Sequence, residues 1–334
     1  MTSPEPFLSG TGRRLDPAGA LVGVVLPLVA VAAVVAWLAT RWGELPDPFP
    51  SHWGPSGEAD AWAPRGEAIG LPAAIVLVTV LPMTMLAAFA RVDRFLRRIL
   101  LAVGAPVLGM VGALLLAPVW RALAGDPEPP VTDWEAALGA AVGLVVGLVG
   151  AAMLVDGRPR VPAPERPDPA LPRAPLVELE YRLALGPSWR YGILALLVGT
   201  VAVTLVLLPG LGVAMAFVLL PALVVVLPFV VHVGPDGLSV RQAGMELLRV
   251  DARELAAASV TTIDPWAHGG VGYRLTGRGS VLLATGRGPG VLVATGSGRS
   301  VRLGVPAAGA GGPAAAERVA GVLNAAADAA GPGR

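Results

Sequence analysis

Six long apolar runs constrain this chain more than any other feature of its sequence. None of them contains a charged residue, and each is about the 20 residues that a helix needs to cross a bilayer. The chain as a whole is 54% hydrophobic and 15% charged, whereas soluble domains carry about 25% charged residues. The sequence therefore predicts a membrane α-helical bundle. Its six predicted spans are residues 20–40, 70–90, 99–120, 136–155, 191–208 and 211–231.

The distribution of arginine predicts the orientation, because the chain contains no lysine. Loop 91–98 carries four arginines, and segment 156–190 is also rich in arginine, whereas loop 125–133 is acidic. Loops rich in positive charge stay in the cytoplasm. We therefore expect a multi-pass protein of the plasma (inner) membrane, with both termini in the cytoplasm and loop 41–69 outside.

The remaining segments are interpreted by composition and periodicity. Residues 156–175 are dense in proline and predict an extended or disordered linker. In 176–185, apolar residues alternate with Glu178, Glu180 and Arg182, which predicts a strand that must join a sheet elsewhere. The predicted organisation is a cytoplasmic tail 1–19, a four-helix region 20–155 with external loop 41–69, linker 156–175, strand-like segment 176–190, helical hairpin 191–232 and cytoplasmic domain 233–334.

The C-terminal region predicts a small α+β domain. Short β-like runs begin at residues 238, 259, 272, 280, 290 and 300, and turn signals separate them. Residues 314–329 then show apolar residues on one helical face. We expect an antiparallel sheet closed by this C-terminal helix.

Loop 45–65 is the one chemically dense stretch of the membrane region. Its candidate functional residues are Pro46, Pro50, His52, Trp53, Gly57, Asp60 and Trp62. One interpretation is recognition of an extracellular peptide, lipid headgroup or cation through His52, Asp47, Glu58 and Asp60. The other, which we favour, is a rigid, proline-pinned cap in which His52 bonds to a loop carbonyl, Asp47 or Asp60. One histidine with scattered acids does not predict a metal site.

A second candidate feature is the glycine series Gly139, Gly143 and Gly147 in the fourth run. Small residues at four-residue spacing let another helix backbone approach closely. The series predicts helix packing within the chain, with a homodimer seam as the alternative.

The sequence contains no recognisable catalytic or cofactor-binding arrangement. Cysteine is absent, and the glycine-rich segments 269–274 and 286–290 lack the lysine of a phosphate loop and predict turns. The absence of ionisable residues from the six runs argues against proton-coupled transport. We expect a non-enzymatic sensing, scaffolding or immunity-type signalling protein that binds no cofactor, metal or nucleic acid.

Alternatives remain open for both the role and the partners. The first alternative role is a lipid or peptide transporter, with a polar cavity lined by Thr79, Thr84, Thr200 and Thr204; a membrane-surface enzyme ranks last. The expected partners are membrane lipids, with a protein partner at the cytoplasmic domain and a homo-oligomer as open options.

Two stretches resemble known bacterial families. Leu45-Pro46, Pro50, His52-Trp53, Gly57, Asp60 and Trp62 resemble the pattern of a domain of unknown function that is shared with sporulation-delay toxin immunity (SdpI-type) membrane proteins. Asp264-Pro265-Trp266 and residues 269–274 resemble a bacterial pleckstrin-homology-like domain that is fused to this family in actinobacteria, with Val271 at a position where tryptophan is usual. Neither resemblance implies catalytic residues.

Overall fold

The computed structural model describes residues 15–54, 57–90, 92–126, 134–156, 160–276, 280–306 and 312–331. The predicted tail up to residue 14, Arg91, Arg158 and most of the acidic loop lie outside the described residues. The chain divides into two compact units. Unit 1 comprises Met1–Pro159 and Ala195–Ala222, and unit 2 comprises Arg160–Leu194 and Leu223–Arg334.

Six helical segments of the described chain are long and apolar enough to cross a membrane, and they overlap the six predicted runs. Numbered spans 1 to 6, they are Pro17–Glu44, Arg65–Ala88, Arg94–Leu123, Trp134–Met153, Pro187–Leu207 and Pro209–Val226. Their helices are α1 Pro17–Ala20, α2 Leu26–Arg41, α3 Arg65–Thr79, α4 Leu81–Met85, α5 Arg94–Leu123, α6 Trp134–Met153, α7 Pro187–Leu207 and α8 Pro209–Leu219. A π-helix, Leu21–Val25, interrupts span 1, and 3₁₀ turns end spans 1, 2 and 6 at Trp42–Glu44, Leu86–Ala88 and Leu220–Val226.

The helical segments begin or end several residues away from some of the predicted runs, and two of these differences have a clear local cause. Span 3 begins at Arg94 rather than residue 99, because the Asp93 carboxylate accepts hydrogen bonds from the Phe95 and Leu96 amides and caps the helix earlier. The spans are therefore not free of charge. Span 6 ends at Val226 rather than residue 231, because the chain continues as a strand from Phe229.

The glycine series of α6 packs against α5 of the same chain. A Cβ added to Gly139, Gly143 or Gly147 would lie 2.1, 2.3 or 2.4 Å from a carbonyl oxygen of α5. The two backbones are therefore in direct contact along this face, which leaves no room there for a second copy of the chain. On α6, Ala136 and Ala140 are buried with Ala214 of α8 in one apolar cluster.

Unit 2 contains two sheets rather than one. The first is antiparallel, in the order β3 Leu179–Leu183, β4 Phe229–Gly234, β5 Gly237–Gln242 and β6 Met245–Asp251. The second has the order β7-β10-β11-β9-β8, with the strands β7 Leu255–Ile263, β8 Gly272–Thr276, β9 Ser280–Ala284, β10 Gly288–Thr295 and β11 Ser300–Gly304. Strands β1 and β2 lie earlier in the chain, in unit 1. They are Phe49–Trp53 and Ala59–Ala63, and they form the only hairpin among the described residues of that unit.

The prediction of a single antiparallel sheet closed by a helix is wrong. Strands β9 and β11 pair in parallel, which sequence periodicity does not reveal because it is blind to strand order. Helix α9, Gly312–Ala330, packs along β7 instead of closing a sheet. Its buried Asn324 fixes this position, because the side-chain amide bonds both the N–H and the C=O of Ala258, each at 2.8 Å.

Residues 160–175 of the predicted extended or disordered linker belong to unit 2 and pack against the rest of it. The Ala163 N–H donates to the Arg253 carbonyl at 2.7 Å, and Asn324 Nδ2 donates to the Pro172 carbonyl at 3.0 Å. Arg173 Nε donates to Asp328 of α9 at 2.7 Å. Proline suits this role because its fixed φ lowers the entropy lost when an extended segment is ordered.

Spans 5 and 6 connect to neighbouring strands through very short links. Residues 184–186 join β3 to span 5, and residues 227–228 join span 6 to β4. Leu183 and Phe229 are paired in the sheet, so both links leave from the same end of it. Buried Gln242 holds the end of span 6 at this end of the sheet. Its Nε2 donates to the carbonyls of Val224 and Leu227 at 3.0 and 2.9 Å.

Candidate functional site

The predicted functional loop forms a β-hairpin between spans 1 and 2. Strands β1 and β2 pair antiparallel, with Pro50 opposite Trp62 and His52 opposite Ala61. The turn closes with a 2.9 Å bond from the Gly54 N–H to the Glu58 carbonyl. Gly57 has φ +82°, a left-handed conformation that favours glycine. The glycine of the loop pattern is thereby explained by backbone geometry.

The base of the hairpin is anchored to the helices. Phe49 and Leu45 are buried in an apolar cluster with Val119 and Ala122 of span 3. Pro50 is also buried, and Pro46 is half-buried. These contacts join the hairpin to the ends of three spans and give it a fixed foundation.

Arg65, which the sequence analysis did not single out, ties both ends of the hairpin together. Its Nη1 donates to the carbonyls of Trp42 and Leu45 at 2.9 and 3.1 Å, and its guanidinium lies 5.4 Å from the centre of the Trp42 ring. Its backbone N–H also donates to Asp47 at 3.3 Å. Asp47 therefore stabilises the base of the hairpin through Arg65, and it is not the hydrogen-bond partner of His52.

The hairpin exposes a polar pair and, elsewhere on its second strand, a tryptophan. His52 Nδ1 lies 2.5 Å from Asp60 Oδ1, and these side chains are 70% and 53% exposed. Trp62 is exposed and Trp53 half-buried. The structure thus brings His52 to Asp60, one of the three local partners that the sequence analysis expects.

The hairpin does not assemble a metal centre from the residues that the structure describes. No group of three or more His, Cys, Asp or Glu side chains in the described ranges is placed to hold a metal ion. The exposed side chains of the hairpin are hydrogen-bonding, acidic and aromatic groups.

A second polar site, missed in the sequence analysis, lies at the other end of spans 1 and 2. The Asp16 and Arg97 side chains are 2% and 1% exposed, and Arg97 Nη1 donates to Asp16 Oδ2 at 2.9 Å. Arg97 Nη2 donates to the Val155 carbonyl at 2.7 Å, and the Val155 N–H donates to Asp16 Oδ2 at 2.9 Å. We call this group of Asp16, Arg97 and Val155 the clamp.

The clamp joins the start of span 1, the start of span 3 and the segment that follows span 4. Asp16 also caps span 1, because its Oδ1 accepts from the Ala18 and Gly19 amides. Its own N–H donates to the Ala88 carbonyl at 2.8 Å, which adds the end of span 2. Asp-Pro at the start of a helix is a capping signal that could have revealed Asp16; nothing in the sequence marked Arg97 among its neighbouring arginines.

The charge state of Asp16 follows from its hydrogen bonds. Burial alone would raise the pKa of this carboxyl, since the charged form loses hydration. Hydrogen bonds from Arg97, Gly19 and Val155 and the charge of Arg97 outweigh that effect, so the pKa of Asp16 lies below its ordinary value. The pair is therefore ionised at neutral pH.

Backbones approach closely around the clamp. A Cβ on Gly19 would lie 2.0 Å from the Ala87 carbonyl oxygen, and one on Gly23 would lie 2.3 Å from that of Thr84. Thr84 Oγ1 in turn donates to the Gly23 carbonyl at 3.1 Å. Gly23 lies within the π-helix, a type of irregularity that is frequent at functional sites.

Six apolar helices with a sheet-rich region indicate a protein of the multi-pass membrane class. Within it, residues 28–76 match the model of a domain of unknown function, DUF1648. The matched range runs from span 1 through the hairpin into span 2, so the hairpin is at its centre. This match indicates no enzymatic family. No curated protein and no solved structure matches the chain.

Proposed function

We propose that this chain is a non-enzymatic receptor-type protein of the plasma membrane that recognises a cationic peptide outside the cell. The hairpin would be the recognition element, and unit 2 would lie in the cytoplasm. The observation that carries the proposal is the exposed His52–Asp60 pair on an anchored hairpin whose second strand also exposes Trp62. A rigid surface loses little entropy on binding, so its contacts contribute to affinity.

The arginines support this orientation. Arg94, Arg97 and Arg98 lie at the clamp end of span 3, and positively charged flanks stay in the cytoplasm. The hairpin is at the opposite end of spans 1 and 2 and is therefore external in this account.

The charge of the hairpin region favours a cationic ligand. Residues 41–65 contain two arginines, Arg41 and Arg65, and four acids, Glu44, Asp47, Glu58 and Asp60. Both arginines pair with acids within the same segment, so the excess is negative. The exposed indole ring of Trp62 adds attraction for ammonium or guanidinium groups. An immunity-type role against a toxic peptide fits this surface and the resemblance to SdpI-type proteins.

Spans 1 and 2 offer a route from the hairpin to the clamp. Each is interrupted near the clamp, span 1 by the π-helix and span 2 by the break at Val80 between α3 and α4. Breaks in helical hydrogen bonding are places where a helix can bend. We infer that binding at the hairpin shifts these ends of the two spans.

The pleckstrin-homology-like assignment of unit 2 belongs to the same proposal. Two sheets followed by a C-terminal helix support it, and the parallel pair of β9 and β11 departs from an all-antiparallel arrangement. The transport alternative gains no support from the four threonines, since each hydroxyl donates to a backbone carbonyl.

Binding of a labelled oligolysine peptide to the full chain in phosphatidylcholine nanodiscs tests the proposal. Asp60→Asn and Trp62→Ala should each weaken binding several-fold. Glu67→Gln, which removes one negative charge in the first turn of α3, is the matched control and should bind like wild type. Equal losses in Asp60→Asn and Glu67→Gln would overturn a specific hairpin site and leave only a net-charge effect.

The relay is tested separately with a spin label on Leu15→Cys, an exposed position next to the clamp. Peptide addition should change the label's mobility in wild-type background and not with Asp60→Asn. Unchanged mobility at saturating peptide would refute the relay while leaving recognition intact.

A further inference from the structure

A pair of tryptophans in unit 2 connects the start of span 5 with the turn between β7 and β8. The rings of Trp189 and Trp266 have centroids 6.4 Å apart and planes inclined by 44°. Trp189 is in the first turn of α7, and Trp266 is in the 3₁₀ turn Pro265–His268 between β7 and β8. A turn that is far away in sequence therefore contacts the point where the chain enters a membrane span.

The depth of Trp189 is set by its position in the chain. Two residues precede it in α7, and the apolar part of the span follows. A tryptophan at such a position lies in the headgroup layer, where indole is favoured. Because Trp266 touches Trp189, the turn that carries Trp266 lies at the same layer.

Trp266 is poorly explained as a residue facing water. It is 65% exposed, although tryptophan carries one of the largest apolar surfaces of any side chain. An exposed apolar group at this position fits a membrane interface.

Arginines surround the same turn. A Cβ on Gly270 would lie 3.6 Å from Arg274 Nη2 and 3.7 Å from the Trp266 ring, so the guanidinium and the ring flank one small space. The Arg274 side chain is exposed. Arg287 Nη2 lies 2.7 Å from Asp264, whose other oxygen caps the Trp266 turn.

We propose that this surface, Trp266 with Arg274, is a docking site for the membrane itself and binds the headgroups of anionic phospholipids. Trp266 inserts at the headgroup level, and Arg274 supplies the charge that phosphate groups attract. Trp189 and Trp266 both belong to unit 2, so the contact between them lies within that unit. The proposal needs only that span 5 crosses the membrane, and it does not depend on ligand recognition by the hairpin.

A nitroxide label on Ala267→Cys tests the proposal in the full chain, because Ala267 is exposed next to Trp266 and the chain has no native cysteine. The control is a label on Asp236→Cys, in the turn at the far end of β4. That turn is roughly 17 Å from Phe229 at about 3.3 Å per strand residue. Collision rates are measured with oxygen, which concentrates in lipid, and with a water-soluble nickel chelate.

At position 267, collisions with oxygen should exceed those with the nickel chelate, and the order should reverse at position 236. Adding Trp266→Ala to the 267 label should raise nickel collisions several-fold. Nickel collisions at 267 equal to those at 236 would overturn the proposal, because the turn would then lie in water.

The contact between Arg274 and anionic headgroups is tested by a separate measurement. In nanodiscs that mix phosphatidylglycerol with phosphatidylcholine, the 267 label should be less mobile than in phosphatidylcholine alone. Arg274→Gln should abolish this difference, and Arg253→Gln, an exposed arginine next to the distal end of β6, should keep it. Equal effects of both variants would refute a specific headgroup contact.

Discussion

Breaking the clamp should destabilise unit 1 far more than breaking an exposed ion pair. Asp16→Asn keeps an oxygen that can cap span 1, because asparagine is as good an N-cap as aspartate. The substitution removes the negative charge that faces buried Arg97. Where Oδ2 now accepts hydrogen bonds from Arg97 Nη1 and the Val155 N–H, the variant has an amide nitrogen, which can only donate. Removing one partner of a buried pair costs about 3–5 kcal/mol, so we expect a loss of about 3 kcal/mol or more.

The matched control is Glu44→Gln, which breaks the 3.4 Å pair with Arg41. Both of its side chains are exposed, and such pairs contribute about 0–1 kcal/mol. Asp16→Ala should cost roughly 1 kcal/mol more than Asp16→Asn, since it also loses the cap. The double variant Asp16→Asn/Arg97→Met should recover part of the loss, because no unpaired charge is left buried.

The assay is unfolding of the full chain in mixed micelles by increasing sodium dodecyl sulfate, followed by tryptophan fluorescence. A free-energy loss for Asp16→Asn within about 1 kcal/mol of that for Glu44→Gln would refute the reasoning, since a buried pair should cost several times more than an exposed one.

The same pair predicts the direction of the acid dependence. The pKa of Asp16 is lower in the folded chain than its ordinary value. The stability from the pair is therefore fully present above the unfolded pKa, about 3.9, and is lost as pH falls through the folded value. Asp16→Asn should show a smaller loss of stability in acid than wild type does, and an identical loss would contradict this role.

The remaining predictions concern other parts of the chain. Gly143→Ala should cost roughly 1–3 kcal/mol by forcing α5 from α6, whereas Gly199→Ala in span 5 should not destabilise the chain in the same unfolding assay, because its Cβ would meet nothing within 4 Å and alanine favours helix over glycine. Asn324→Leu should speed hydrogen exchange of the Ala258 amide, which loses its acceptor; unchanged protection would contradict the anchoring role. His52→Gln should lower stability modestly, and equilibrium dialysis of wild type against zinc should show no stoichiometric binding; tight binding abolished by the variant would refute a structural histidine.

The parts of this fold that could be predicted from the sequence are those with a regular local pattern of apolar residues. Apolar runs of span length locate six helices, and alternation in 176–185 predicts the strand that the structure has at Leu179–Leu183, paired with β4. All six β-like runs listed after residue 236 lie in strands. These signals are local, so a single stretch is enough to reveal each one.

What the sequence does not reveal depends on partners far along the chain. Arg97 and Asp16 are separated by 81 positions, and Arg97 looks like any other arginine of a basic loop. Strand β6, Met245–Asp251, is missed because its Met, Glu and Leu residues favour helix. Strand β1 is missed because it contains Pro50, and proline is rare inside paired strands.

The opposite placement of the hairpin and unit 2 across the membrane is the central claim, and cysteine labelling in intact cells tests it most directly. Single cysteines replace Ala61, which is exposed on β2, and Asp236, which is exposed in the β4–β5 turn. A membrane-impermeant thiol reagent should label position 61 in intact cells and position 236 only after the membrane is permeabilised. Labelling of position 236 in intact cells, or protection of position 61, would contradict the account.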